Sequence, residues 1–401
     1  MKRRVVVTGM GAVTPIGIGI PDLTKGLQEG VSGNAQITSF DVAQFPVKQA
    51  CQVKNFDARV FHVQGLDPFI QYAIAGATEA VGDARFECSK TDPYRIGISV
   101  SSSKGGVHTI DRFKERFQKH PSPILGARIY ANSVPNFASQ WIARRWKIQG
   151  PAKCYVAACA TGTVAVIEGA RMVREGIVDF CLAGASDASI VPLMLAGYHR
   201  MKVLSPDAIR PFDKHRKGFV IGEGAGIVFL ETLESARARG AKIYGEILGY
   251  SYGQDCFDGI RFDPHVGALA RTLKQLMKET GLAPNDIDYI NLHGTGTQSG
   301  DLYETNQIKA AFGQHAYHIP MSSTKSMTGH MLGATGAVEI IASFIAMREQ
   351  WIPPTINLET KDNACDLDYT PLKVRKADIQ AAISISMGFG GHVATIALKN
   401  V

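Results

Sequence analysis

No apolar run in this chain of 401 residues is long enough to cross a bilayer, so no membrane-spanning segment is expected. Its seven cysteines are odd in number, contain no C-x-x-C pair and are not clustered, which argues against a disulfide framework and a structural zinc site. A reducing, cytoplasmic setting fits that usage. The basic opening Met1-Lys2-Arg3-Arg4 leads into Val5-Val6-Val7, but the run breaks at Thr8-Gly9-Met10-Gly11, too early for a secretory h-region. The dinucleotide fingerprint also lacks its third glycine: Thr14 stands there, Pro15 follows, and a Rossmann site is rejected. Net charge is +7, yet no aromatic-interleaved basic stripe marks a nucleic-acid surface. The cluster Arg112, Lys114, Arg116, Lys119 reads as a solvated helix face or a patch for an acidic protein. No low-complexity linker divides the chain, so a single compact body is expected.

With 45% apolar and 20% charged residues, the sequence has ample material for a large core. Apolar strands alternate with helical patterns. Strands are expected at 5–8, 95–100, 154–156, 180–184 and 289–292. Helices are expected at 67–84, 133–146, 164–173, 264–279, 301–311 and 333–347. Asp67-Pro68 is an N-cap followed by proline at the first helical position. Such alternation predicts an α/β architecture with mainly parallel sheets. The stretches 219–230 and 383–398 each read as two strands about a glycine-rich turn. Each half thus ends in a glycine hairpin, hinting at a duplication with halves 1–240 and 241–401.

The sequence is organised around Ala157-Ala158-Cys159-Ala160-Thr161-Gly162-Thr163, between a short β-like run and a helical pattern. This places Cys159 at a helix N-terminus, where free N–H groups and the helix dipole favour thiolate, and its small neighbours predict an uncovered sulfur. Two histidines stand in loops at strand ends, in His293-Gly294-Thr295-Gly296-Thr297 and Lys325-Ser326-Met327-Thr328-Gly329-His330. Taken singly, Cys159 could be a structural thiol and each histidine a structural hydrogen-bonder. Together they suit either a cysteine hydrolase, with one histidine as base, or a site where both imidazoles donate to one carbonyl oxygen. The glycine-rich loops favour the second, since they accommodate a long thin ligand.

These stretches, with Gly333-Ala334-Thr335-Gly336-Ala337-Val338-Glu339 and Gly388-Phe389-Gly390-Gly391, resemble the β-ketoacyl-acyl-carrier-protein synthases, particularly the type II elongating enzymes, over essentially the whole chain. The resemblance implies a thiolase-like fold with two pseudo-duplicated halves in a five-layer αβαβα arrangement, usually dimeric. It implies decarboxylative Claisen condensation of an acyl group on Cys159 with malonyl-carrier protein, the substrates riding on carrier phosphopantetheine without metal or redox cofactor. His293 and His330 would hold the malonyl thioester oxygen, and Lys325 and Glu339 would pair behind them. The N–H groups of Cys159 and Phe389 would form the oxyanion hole, with Phe389 also gating the acyl pocket. Thr295 and Thr297 would bind pantetheine, and Met387, Gly388 and Gly390 would line the substrate channel. Partners would be an acyl carrier protein and a second ketosynthase-like chain, as homodimer or heterodimer.

Some positions depart from the family pattern. Ile385-Ser386-Met387 and His392-Val393 flank the gate where asparagines and a further phenylalanine commonly stand. The basic residues usual before the Asp67 helix are replaced by His62-Val63-Gln64-Gly65-Leu66, so either carrier docking moves to Arg112–Lys119 and Arg200–Lys202 or the natural carrier differs. Phe257-Asp258-Gly259 replaces a His-Met-Thr. These changes admit a specialised polyketide or polyene pathway beside fatty-acid elongation. The alternative is a non-catalytic, chain-length-setting subunit.

Overall fold

The structure is a computed structural model that describes residues 3–119 and 128–401, so Met1 and Lys2 of the basic opening lie outside the described residues. Its principal strands are β1 (Val5–Thr14), β2 (Ile96–Ser101), β3 (Ala152–Lys153), β4 (Phe180–Asp187) and β5 (Gly224–Thr232). After residue 240 come β6 (Gly245–Gln254), β7 (Tyr289–Asn291), β8 (Met321–Ser322), β9 (Ala381–Gly388) and β10 (His392–Lys399). The first group is ordered β1-β5-β4-β2-β3 and the second β6-β10-β9-β7-β8. In both, the first two pairings are antiparallel and the next two parallel. The same topology therefore occurs twice. The two ladders touch where Val6 and Val7 pair with Glu246 and Gly245, making one continuous 11-stranded sheet that includes the short strand Gly17–Ile18.

Helices α1 (Pro68–Asp83), α2 (Val107–Lys119), α3 (Phe137–Trp146) and α4 (Thr161–Arg174) belong to the first half. The second contributes α5 (Ala268–Thr280), α6 (Gln298–Phe312) and α7 (Thr335–Glu349). Strand alternation sorts them into layers. On β5, Val228 and Leu230 face a central core with α4 and α7, while Ile227 and Phe229 face an outer core with α1 and α3. On β10, Ala394 and Ile396 face the central core and Val393 the opposite outer core, where α5 and α6 pack. Helix α7 is buried from Thr335 to Met347 because a ladder covers it on either side. Its nearly continuous apolar run follows from that position.

The two central helices begin alike, after Ala158-Cys159-Ala160-Thr161-Gly162 and Leu332-Gly333-Ala334-Thr335-Gly336. Ala158 (φ 46°) and Leu332 (φ 52°) both take the left-handed region that residues with a Cβ avoid. A Cβ on Gly162 would stand 2.7 Å from the Gly333 carbonyl oxygen and the Ala337 nitrogen. A Gly162→Ala substitution is therefore expected to destabilise the fold by about 1–3 kcal/mol despite alanine's better helix propensity. A lowered urea midpoint checks this; an unchanged or raised one contradicts the close approach.

Some expected elements shift. Residues 154–156 are not strand, the edge strand being 152–153, and 219–222 form isolated bridges rather than a first hairpin strand. The Asp67 cap is as read: its carboxylate accepts the Phe69 N–H at 3.3 Å. The helix expected from residue 133 starts at Phe137, after a separate helical segment Arg128–Ser133.

Candidate active site

Cys159 lies in the single 3₁₀ turn that opens α4, anchored where the Ala157 N–H donates to the Thr161 hydroxyl at 2.9 Å. The end of β9 closes on this turn at Gly388, where a Cβ would stand 3.0 Å from the Cys159 nitrogen and 2.7 Å from the Ala157 oxygen. That approach sets the Phe389 N–H near enough to the sulfur to favour its charged form. The sulfur is not uncovered as the small neighbours suggested: Cys159 is 8% exposed, at the floor of a cavity of about 960 Å³. Its acidity departs from the local expectation too. Burial pushes the thiol up to about 11, against the opposing charges of Lys104 and Lys325. Alkylation of Cys159 by iodoacetamide is therefore expected to rise about tenfold per pH unit from pH 7 to 9 without levelling. A plateau near neutral pH would show instead that the helix end governs the thiol.

His293 follows β7, and His330 ends the segment between β8 and α7. Their rings meet edge to face with centroids 5.5 Å apart, and both line the cavity with Cys159. His330 Nδ1 lies 3.1 Å from the Thr335 hydroxyl, and its ring packs edge-on against Phe219 at 5.0 Å. When that hydroxyl donates to Nδ1, Nε2 carries the proton. Burial, joined by the Lys325 charge, holds both imidazoles well below their ordinary pKa, so they are neutral near pH 7. Lys325 and Glu339 pair at 2.7 Å behind them, both fully buried. Burial pushes Glu339 up to about 7 while Lys325 holds it down, and its second oxygen has no partner among the described residues.

Thr295 and Thr297 line the cavity with hydroxyls 3.0 Å apart, and Met387, Gly388 and Phe389 line it from β9 and the turn beyond. Gly390 does not. It sits in the hairpin turn, its N–H donating to the Gly259 carbonyl at 3.0 Å and its carbonyl accepting from Gln254. Of the two basic segments, only Met201-Lys202 borders this cavity, with Lys217 and Arg261; Arg112, Arg116 and Lys119 line a separate hollow of about 670 Å³.

The residue readings missed two carboxylates that shape the histidine loop. Glu304 accepts the N–H groups of His293 and Gly294 at 2.7 and 2.8 Å, and Asp301 accepts those of Gly296 and Phe212 at 3.0 and 2.7 Å. Both are buried on α6. Their i, i+3 spacing after the Gly294-Thr295-Gly296 loop was the available signal, since it sets both on one helix face. Asp187, at the end of β4, is another: it accepts the Gly333 N–H at 2.7 Å and the Ser102 and Ser103 hydroxyls.

A twice-repeated α/β topology of thiolase type, with a cysteine at a central helix end and two neutral histidines in the same cavity, defines the class of cysteine-dependent condensing-enzyme folds. Within it, the chain belongs to the β-ketoacyl synthase family: the N-terminal domain model matches residues 2–236 and the C-terminal domain model 244–359. It is 41% identical to the 3-oxoacyl-[acyl-carrier-protein] synthase 2 of Synechocystis, over 99% of this chain and 98% of that one. Identity to the protein of the same name from Coxiella burnetii is 38%, over 100% and 99%. Among solved structures it is similar to the ishigamide ketosynthase/chain length factor, with TM-score 0.95 and 34% identity over all of both chains. It is also similar to a type II polyketide-synthase acyl-carrier protein complex with its ketosynthase bound to the hexaketide, with TM-score 0.92 and 30% identity over all of both chains.

Proposed function

We propose that this chain joins an acyl group held on Cys159 to malonyl-carrier protein by decarboxylative Claisen condensation, in fatty-acid or specialised polyketide or polyene synthesis. The convergence of Cys159, His293 and His330 on one cavity carries the reading. In the first step the Cys159 sulfur bonds the acyl carbon, and the carrier's pantetheine thiol leaves with the proton. In the second, malonyl thioester releases CO2 and its electron pair moves onto the thioester oxygen, where the neutral imidazoles of His293 and His330 donate. The enolate carbon then attacks the acyl carbon, and the resulting oxyanion is held by the N–H groups of Cys159 and Phe389. Collapse releases the β-ketoacyl-carrier protein, and the Cys159 sulfur takes up a proton. Each aimed donor lowers the barrier by about 3 kcal/mol. A thioester is already activated, so no metal or redox group is called for.

Lys325 and Glu339 set the field behind the histidines, Thr295 and Thr297 hold the pantetheine, and Met387, Gly388 and Phe389 shape the channel. The nucleophile belongs to half 1–240 and the histidines to half 241–401. An acyl carrier protein is the partner at the mouth, where Lys202, Lys217 and Arg261 suit an acidic surface. A second ketosynthase-like chain, identical or homologous, completes the assembly, and the cytoplasm is its setting. Mass spectrometry of carrier-bound products tests this: the purified chain, mixed with malonyl-carrier protein and a panel of acyl-carrier proteins, should yield β-ketoacyl chains two carbons longer. Release of free acid without malonyl substrate would indicate a hydrolase, and no product would point to a missing partner subunit or the wrong carrier protein.

A further inference from the structure

Two side-chain hydrogen-bond donors near Cys159 have no acceptor among the described residues. Lys104 belongs to the loop after β2, whose backbone is pinned to the nucleophile's surroundings through Asp187. The Lys104 N–H lies 3.4 Å from that carboxylate, which also takes the Ser102 and Ser103 hydroxyls at 2.7 and 2.6 Å and the Gly333 N–H at 2.7 Å. Gly333 abuts Ser103 so closely that a Cβ there would stand 2.7 Å from the Ser103 Cβ, and the Gly333 turn packs against the Cys159 turn. The Lys104 side chain is half-buried, and no carboxylate among the described residues lies within ion-pair distance of its ammonium. Residues 120–127 contain no acidic side chain that could serve instead. Its charge acts on the Cys159 thiol ahead of that of Lys325, and on His330 as well.

Tyr198 approaches from a different element. It is 6% exposed, its ring edge-on to Phe219 with centroids 5.6 Å apart, in an apolar cluster with Ile190, Leu195 and Leu332. Its hydroxyl has no hydrogen-bond partner among the described residues, yet it lies near enough to Cys159 and Asp187 to feel both charges. A plain alkyl chain on the sulfur would strip water from the ammonium and the phenol and return nothing. A chain with an oxygen acceptor would restore the lost hydrogen bonds, one of them charge-assisted.

We propose that Lys104 and Tyr198 make this site selective for oxygenated acyl chains, bearing a carbonyl, hydroxyl or carboxylate oxygen, over plain alkyl chains. This rests on the reading that Cys159 carries the acyl group. The test measures Cys159 loading by intact-protein mass spectrometry with hexanoyl-, 5-oxohexanoyl- and adipoyl-carrier protein, at fixed pH. The wild-type chain should load 5-oxohexanoyl, adipoyl or both at least tenfold faster than hexanoyl; which of the two leads distinguishes a ketone from a carboxylate as the acceptor. Lys104→Met should cut that ratio about tenfold, slowing the oxygenated primers and speeding hexanoyl, and Tyr198→Phe should cut it severalfold. A wild-type preference for hexanoyl overturns the proposal. So does an equal fall for every primer in Lys104→Met, which would mark Lys104 as acting on the thiol alone. Loading of no primer by the wild-type chain overturns the acyl-Cys159 reading and this proposal with it.

Discussion

Cys159→Ala is expected to reduce acyl loading and condensation by about 10⁴-fold or more, because the thiol supplies the only covalent bond to the primer. The turn itself should survive, since alanine at 159 keeps the backbone of the 3₁₀ segment and resembles its neighbours Ala158 and Ala160. Loading is read by the mass increase of the intact chain, and sustained acylation of the variant would remove Cys159 from its assigned role. Cys159→Gln separates the two chemical steps. Its amide imitates an acylated sulfur, so malonyl-carrier protein should still lose CO2 at the histidine pair although no carbon–carbon bond forms. CO2 release is measured directly, and its failure in this variant would count against His293 and His330 as the enolate donors.

Lys325→Met should destabilise the fold by about 3–5 kcal/mol near neutral pH and disable condensation. The cost arises from Glu339, not from methionine packing: its fully buried carboxyl loses the one cation bonded to it at 2.7 Å. Burial already pushes Glu339 up to about 7 with Lys325 present, and without it the carboxyl rises further. A carboxyl whose folded pKa exceeds its unfolded value imposes no penalty below the ordinary carboxylate range, where both states are protonated. The penalty grows as pH rises above that range toward the folded pKa. Urea midpoints of the variant should therefore approach those of the wild-type chain near pH 4 and diverge upward. The double change Lys325→Met with Glu339→Gln should recover much of the stability but not the activity. A pH-independent loss of stability would place the cost in packing instead.

The candidate-site pattern was legible because its members sit in short, glycine-rich local motifs whose spacing survives in one dimension. Cys159, His293, His330 and Phe389 all reach one cavity, and the inward Glu339 was recognisable from its apolar helical neighbours Ala337, Val338, Ile340 and Ile341. The duplication was hinted at by two glycine hairpins, although the first proved to be a single strand, β5, preceded by isolated bridges.

Other features depend on distant parts of the chain. Gly390 shares the glycine motif of its neighbours yet turns away to Gly259, because the hairpin beyond β9 is held by the segment after β6. Asp301 and Glu304, by contrast, accept from His293-loop N–H groups only five to eleven positions before them, and what the residue pattern hid was their burial on α6. Cys159 makes the same point in energetic terms. Its place at a helix start was readable, since that depends on adjacent residues and argues for thiolate. Its covering by β9 and the second half of the molecule was not, and that burial outweighs the helix end and holds the sulfur as a thiol. Local pattern thus determined which groups stand at element ends, through hydrogen-bonding needs that span a few residues. Desolvation and the convergence of the two halves were decided by the tertiary structure, because both arise from contacts between residues more than a hundred positions apart.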